Sequence, residues 1–301
     1  MSTTEVTAAL DVGGTKIAAG LVAADGTVVH REERPTAVEG RLRDPGLAGT
    51  VAAARALLAE AGRRGLTVVA LGAGFPEYVA ADGLLTSREV LAWDIQPLKL
   101  LRAELPGVPV TVGSDARCGA LGEARHGAGA GLDSFFYVSL GTGLSSTLVL
   151  GGTPVPGRRG EAIALGEFEV PASVDPGWRG SLEGYCSGRG IGDRRTGLGG
   201  ATTPGAREVA ELADRGDPVA AHVLASAGAA LGTVLAMTVR LLDPAAIILG
   251  GGLGTARGPV RSAIESAYAE RAAARPDAPP LLIAALGPAA GLIGAACLGT
   301  T

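Results

Sequence analysis

With 301 residues, 47% of them hydrophobic and 19% charged, the chain is long and apolar enough for a large core and fits two domains better than one. A net charge of −4 and an aromatic content of 3% exclude the electrostatic footprint of a nucleic-acid or anionic-membrane binder, and a base-stacking platform with it. The three cysteines, Cys118, Cys186 and Cys297, are widely spaced, offer no disulfide framework and no C-x-x-C pair, and point to the reducing cytoplasm.

The N-terminal Met1–Glu5 has neither a basic region nor a long apolar core, so no secretory signal is expected. An apolar run from Val6 to Leu10 leads into Asp11, then Val12-Gly13-Gly14-Thr15-Lys16, then a second apolar run from Ile17 to Val22. The pattern reads as strand, tight turn, strand. Such a turn leaves backbone N–H groups outside the ladder, and two residues without Cβ let an anion approach them closely. Asp11 at the strand end suits a hydrated magnesium beside a polyphosphate. The stretch alone is equally an ordinary glycine-rich hairpin. It is neither a P-loop nor a G-x-G-x-x-G opening a helix. Asp25-Gly26 between apolar runs predicts a second hairpin turn into Val28 to Arg34.

A helix is expected from Asp44 to Arg64, stopped by Gly65, followed by a buried strand over Val68 to Gly72. Glu77 to Val90 reads as an irregular hairpin turning at Asp82-Gly83, Trp93 to Leu105 as helical, and Pro109 to Val112 as a short strand. Ser114-Asp115 closes that strand and opens a helix from Ala116 to His126. Asp115 is there either as a helix cap or as a cleft-facing base.

Phe135 to Leu140, the turn Gly141-Thr142-Gly143 and the return strand Leu144 to Leu150 repeat the first hairpin. Two such units at similar internal spacing predict a duplicated architecture of two lobes, each lending one glycine turn to a nucleotide held between them. Glu161, Glu167 and Glu169 lie in an irregular stretch, and Glu183 and Tyr185 in the segment from Leu182 to Ile191. Helices are expected over Ala206 to Asp214, from Asp217 to Leu242 and over Pro259 to Arg275, with a strand from Ala245 to Leu249 running into Gly250-Gly251-Gly252. The uncharged stretch from Ala278 to Thr301 is broken at Gly287-Pro288, which predicts a strand and a buried helix rather than a membrane span.

These motifs together resemble the ROK family (repressor, open reading frame, kinase) of the sugar kinase, actin and chaperone ATPase superfamily, over nearly the whole chain. Asp11 to Lys16 looks like its first phosphate motif, Leu140 to Gly143 like the second, and Ile247 to Gly252 like the adenosine motif. Ser114-Asp115-Ala116-Arg117 stands where the family has Asn-Asp-Ala-Asn, Gly166-Glu167 matches its substrate motif, and Glu183 matches the glutamate after its zinc loop.

The resemblance implies an α/β, two-lobed actin-like ATPase fold (a duplicated ribonuclease H-like domain). Residues 1–112 would form the N-terminal lobe with 287–301 returning to it, and 113–286 the C-terminal lobe. It implies ATP-dependent phosphoryl transfer to a hydroxyl of a sugar or sugar-like polyol. Asp115 would be the base and Asp11 would orient Mg²⁺. Gly13, Gly14, Thr15, Lys16, Gly141, Thr142, Gly143, Gly250, Gly251 and Gly252 would hold ATP, and Glu89, Ser114, Arg117, Glu167 and Glu183 the acceptor. A homodimer in the cytoplasm, with no nucleic-acid or membrane partner, is expected.

The departures fall on the acceptor side. Val170 stands where the family has histidine, Asp175 to Ser181 holds none of its zinc-binding cysteines, Ser114 and Arg117 replace two asparagines, and Glu89 stands for a sugar-binding asparagine. No structural zinc is expected, and a cyclitol, carbasugar or modified sugar fits better than glucose. A glucokinase is the alternative. A sugar-responsive regulator is disfavoured, because Asp11 lies too near Met1 for a preceding helix-turn-helix, and a silent binding protein is disfavoured by the intact phosphate turns and Asp115.

Overall fold

The computed structural model describes residues 4–40, 42–199, 202–273 and 275–299. In chain order the elements are β1 (Glu5–Val12), β2 (Lys16–Val22), β3 (Val28–Pro35), β4 (Val38–Glu39), β5 (Leu42–Arg43), α1 (Ala48–Arg63), β6 (Thr67–Phe75), α2 (Pro97–Glu104), β7 (Val110–Ser114), α3 (Asp115–His126), β8 (Ser134–Leu140), β9 (Leu144–Leu150) and β10 (Thr153–Pro154). They continue with α4 (Leu182–Cys186), α5 (Gly188–Gly197), α6 (Ala206–Asp214), α7 (Pro218–Leu242), β11 (Ile247–Gly250), α8 (Gly252–Thr255), α9 (Pro259–Ala272), β12 (Leu281–Ile283) and α10 (Ala290–Leu298).

Two five-stranded sheets share one plan: β3-β2-β1-β6-β7 and β10-β9-β8-β11-β12. In the first, β1 pairs antiparallel with β2 and parallel with β6, and β6 runs parallel to β7. In the second, β8, β11 and β12 are likewise parallel neighbours. The duplication expected from the two glycine hairpins is present as this repeated strand order, and the fold is that of the actin-like ATPases.

The chain divides into two compact units: residues 1–131, 149–163 and 288–301, and residues 132–148 and 164–287. Sequence reasoning placed the division at 112/113, which puts α3 in the second lobe. The structure puts α3 in the first unit, because it packs on α10, which also covers β1 and β6. That packing leaves no room for side chains at key points. A Cβ on Gly294 would lie 1.6 Å from the Cys118 carbonyl oxygen, and one on Gly72 would lie 1.7 Å from that of Ala295.

Each unit has its own core. In the first, Leu10, Ile17, Leu21, Leu57, Leu71 and Phe75 are fully buried between α1 and the sheet. Each aliphatic side chain so buried contributes about 1.5–3 kcal/mol. In the second, α7 runs through the middle. It is long and apolar enough to cross a membrane, yet two-thirds of its most apolar stretch is buried, with Gly228 and Gly232 in close contact with the α9 backbone.

Two element boundaries move from their sequence positions. Helix α1 starts at Ala48 rather than Asp44, because Asp44 turns back in the left-handed region and its carboxylate accepts the Gly49 and Thr50 N–H groups at 2.7 and 3.0 Å. Helix α2 starts at Pro97, where proline suits the first turn, not at Trp93.

Candidate active site

In the first unit, three parallel strands end side by side. Asp11 near the end of β1 pairs with Gly74 of β6, and Phe75 at the end of β6 pairs with Ser114 of β7. Asp115 follows as the first residue of α3, and Glu77 lies two residues beyond β6. Carboxyl ends of parallel strands are where α/β sheets place ligands.

The cap reading of Asp115 is corrected by the structure. Ser114 is the N-cap, its Oγ accepting the Arg117 N–H, while Asp115 Oδ1 accepts the Ala116 N–H at 2.6 Å. Burial, then the negative charge of Asp11, and more weakly that of Glu77, push the Asp115 carboxyl up to about 7. Asp11 is also raised, by burial, against the opposing pull of Lys16 and Arg31. A Cβ on Gly291 would lie 2.5 Å from Asp11 Oδ2, so the start of α10 closes over this carboxylate. A desolvated carboxylate is donor chemistry for a hard divalent cation, which takes one or two protein carboxylates and completes its shell with water and phosphate oxygens. Asp11 fits that requirement.

The first glycine turn is pinned through its carbonyls. Thr36 Oγ donates to the Gly13 carbonyl at 2.6 Å, Arg43 Nη1 to that of Gly14 at 2.5 Å, and Thr36 N–H to that of Thr15 at 3.0 Å. The Gly13 N–H is used within the turn, donating to the Lys16 carbonyl at 2.9 Å. The N–H groups of Gly14 and Thr15 have no protein acceptor among the described residues. Lys16 points along the sheet surface, half exposed, and its Nζ pairs with Glu33 Oε1 at 3.1 Å.

Arg117 is 7% exposed, with Nε on Ser114 Oγ at 3.0 Å and Nη2 on the Val79 carbonyl, so it ties α3 to the loop after β6. Burial lowers its pKa. Glu89 is exposed on that loop, between Arg88, whose guanidinium stacks 4.2 Å over the Trp93 ring, and Val90.

In the second unit the structure brings together Gly141 to Gly143, Gly250 to Gly252, Gly166 and Glu183. The Gly141 N–H closes its turn on the Gly143 carbonyl at 2.9 Å, the same use as Gly13, and the N–H groups of Thr142 and Gly143 have no protein acceptor among the described residues. The Gly188 and Arg189 N–H groups at the start of α5 donate to the Gly141 and Thr142 carbonyls at 2.8 and 3.3 Å. Glu183 Oε2 accepts the Leu144 N–H at 2.8 Å. A Cβ on Gly143 would lie 2.9 Å from that oxygen, and one on Gly166 3.1 Å from the Glu183 Cβ. Gly251 sits at φ +75°, where a Cβ would be 2.3 Å from the Leu140 carbonyl oxygen, so the 250–252 run lies directly on the second turn.

Glu167 is exposed beside Phe168, while Val170 is 8% exposed and packs into the core of the unit. The loop from Asp175 to Ser181 is ordered by side chains. Asp175 Oδ1 accepts the Gly177 and Trp178 N–H groups, the Tyr185 hydroxyl donates to Asp175 Oδ2 at 3.2 Å, and the Trp178 and Tyr185 rings meet edge-on at 5.2 Å. Among the described residues no group of three or more His, Cys, Asp or Glu is placed to hold a metal, and the three buried cysteines form no disulfide.

Buried acids escaped the sequence reading, among them Glu77, whose partners are the Ser87 hydroxyl and the backbone N–H groups of residues 89–91, and Asp44, which caps α1 from outside its first turn. Neither belongs to a motif, and a backbone N–H donor leaves no mark in residue types.

Residues 7–301 match the family model described as "ROK family". The chain is 31% identical to a glucokinase of Streptomyces coelicolor, covering 97% of each, and 30% identical to a kanosamine kinase of Amycolatopsis mediterranei, covering 81% of this chain and 79% of the relative. The crystal structure of a ROK family glucokinase from Streptomyces griseus in complex with glucose and AMPPNP superposes with a TM-score of 0.80 at 31% identity, covering 98% of this chain and 99% of that one.

Proposed function

The chain belongs to the ROK family, and from that premise we propose that it phosphorylates a ring polyol other than plain glucose: a cyclitol, a carbasugar or a modified sugar. It is an ATP-dependent sugar kinase, a phosphotransferase with an alcohol acceptor. The finer choice rests on Val170. Where relatives of the family pattern offer an imidazole, this side chain is buried in the core and offers no hydrogen bond. A site that reads hydroxyls leaves a polar group unpaired at each mismatch, at about 1–3 kcal/mol. Glu89, Ser114 and Arg117 depart from the family pattern as well, and several such changes would cost glucose on the order of a thousandfold in specificity.

Phosphoryl transfer is mostly positioning and charge stabilisation. In our reading Asp115 accepts the proton of the acceptor hydroxyl as that oxygen bonds to phosphorus. Asp11 holds Mg²⁺, which when bound neutralises charge on the phosphate oxygens. The N–H groups of Gly14, Thr15, Thr142 and Gly143 hold the transferring phosphate. Glu89, Glu167 and Glu183 accept hydrogen bonds from acceptor hydroxyls. The absence of any zinc requirement belongs to the same proposal, supported by the cysteine-free loop that Asp175, Trp178 and Tyr185 order.

The test is ADP release from ATP and Mg²⁺ against a panel of glucose, amino sugars and cyclitols. A cyclitol or modified sugar is expected to exceed glucose in kcat/KM. A glucose value of about 10⁴ M⁻¹s⁻¹ or above, with nothing in the panel doing better, makes the enzyme a glucokinase instead.

A further inference from the structure

The loop after β6 carries a buried acid to which the mechanism gives no part. Glu77 is 3% exposed. Its Oε1 accepts the Val90 and Leu91 N–H groups at 2.8 and 2.9 Å, and its Oε2 accepts the Glu89 N–H at 2.9 Å and the Ser87 hydroxyl. Ser87 Oγ in turn accepts the Tyr78 N–H at 2.9 Å, which cross-links the two limbs of the loop.

Three successive amides converging on one point form an anion nest. Here the chain fills its own nest. A buried carboxylate is costly unless several donors meet it, and with four donors this one is satisfied. What it supplies is a fixed backbone over residues 87–91, which an apolar side chain cannot supply.

That backbone leans on the first glycine turn. A Cβ on Gly14 would lie 2.7 Å from Val90 Cγ1, so the valine sits on the glycine. The Ala92 N–H donates to the Arg43 carbonyl at 2.9 Å, and Arg43 is the residue whose guanidinium pins the Gly14 carbonyl. The segment bearing Glu89 is thereby tied to Glu77 on one side and to the phosphate turn on the other.

We propose that Glu77 is a positioning residue for the acceptor: by clamping the amides of Glu89, Val90 and Leu91 it sets where the Glu89 segment stands against the Gly13–Thr15 turn, and so which acceptor is held in register for transfer. The proposal rests on the reading of Glu89 as an acceptor contact.

The experiment combines hydrogen exchange with steady-state kinetics on Glu77→Ala, Glu77→Gln and Glu89→Ala, using the best acceptor of the panel and glucose as reference. In Glu77→Ala the 89–91 amides are expected to exchange at least tenfold faster, with α1 and α3 unchanged. Acceptor KM rises tenfold or more, while kcat and KM for ATP stay within threefold. Glu77→Gln, which keeps one acceptor oxygen, falls between, and it carries the test if the alanine variant does not fold. Unchanged exchange at 89–91, or KM values for acceptor and ATP that rise together with a falling melting temperature, overturns the clamp. Faster exchange with an unchanged acceptor KM overturns the positioning role. An unchanged acceptor KM in Glu89→Ala overturns the underlying reading of Glu89, and the exchange data still decide the clamp.

Discussion

The two glycine turns use the same trick and different braces. In each, the first glycine spends its N–H on closing the turn, and the carbonyls are pinned so that the next two N–H groups are left over. Around Gly13–Thr15 two of the three pins are side chains, the Thr36 hydroxyl and the Arg43 guanidinium, beside the Thr36 N–H. Around Gly141–Gly143 they are backbone amides at the start of α5, with Glu183 holding the Leu144 N–H. A turn pinned by side chains can be loosened one residue at a time, whereas one pinned by a helix start is rigid wherever the helix is formed. The catalytic candidates Asp11 and Asp115 stand beside the side-chain-pinned turn.

The largest expected break in the comparison is Asp115→Asn. It should lower turnover at least about a hundredfold, the low end for loss of a general base, while nucleotide binding by calorimetry stays as in the parent. Normal turnover with the true acceptor would remove Asp115 from the mechanism. The parent enzyme should lose activity below about pH 7, where the Asp115 carboxyl protonates. The same group gives a stability test. Its folded pKa lies above the unfolded value of 3.8, so the native state binds the extra proton and stability falls as pH rises through that window. Asp115→Asn should therefore melt higher than the parent at pH 8, with the gap closing toward pH 4 in thermal melts without nucleotide.

Glu183→Ala comes next. It strips the Leu144 N–H of its acceptor and loosens the second turn, at about 1–3 kcal/mol. ATP affinity should fall roughly ten- to a hundredfold on that figure. A rise confined to acceptor KM would instead make Glu183 purely an acceptor contact. Arg43→Ala removes one pin of three from the first turn and should cost ATP affinity about threefold to tenfold; equal losses in the two variants would erase the difference between the braces. Smallest is the response to chelation. With the 175–181 loop held by Asp175, Trp178 and Tyr185, EDTA should leave the melting temperature unchanged, and Trp178→Ala should lower it. Stoichiometric zinc with unfolding on chelation would reverse that expectation.

What the sequence made legible was whatever residue type alone dictates. Gly-Gly-Thr and Gly-Thr-Gly between apolar runs announce tight turns, and the two sheets repeat in the order those hairpins required. An acid at the start of α3 was visible too, although its neighbour Ser114 takes the cap. What stayed hidden depends on backbone groups brought close by the fold. The spent Gly13 N–H, the filled nest at Glu77 and the return of Asp44 onto α1 all use partners that any residue would offer. The place of α3 was hidden for a related reason. Its assignment follows from Gly294 lying against the Cys118 carbonyl, a contact between segments far apart in the chain.

That contact has a consequence in time. The first unit is built from residues 1–131 and 149–163 and closed by 288–301. Synthesis delivers α10, the helix that covers β1 and β6 and seats α3, after every segment of the second unit. The second unit, contained within 132–287, has all its parts before the first is closed. A domain completed in its own right can fold as a unit. The sheet that carries Asp11 and Asp115 has its α10 face uncovered until that helix is made, so the first unit to begin is the second to be complete.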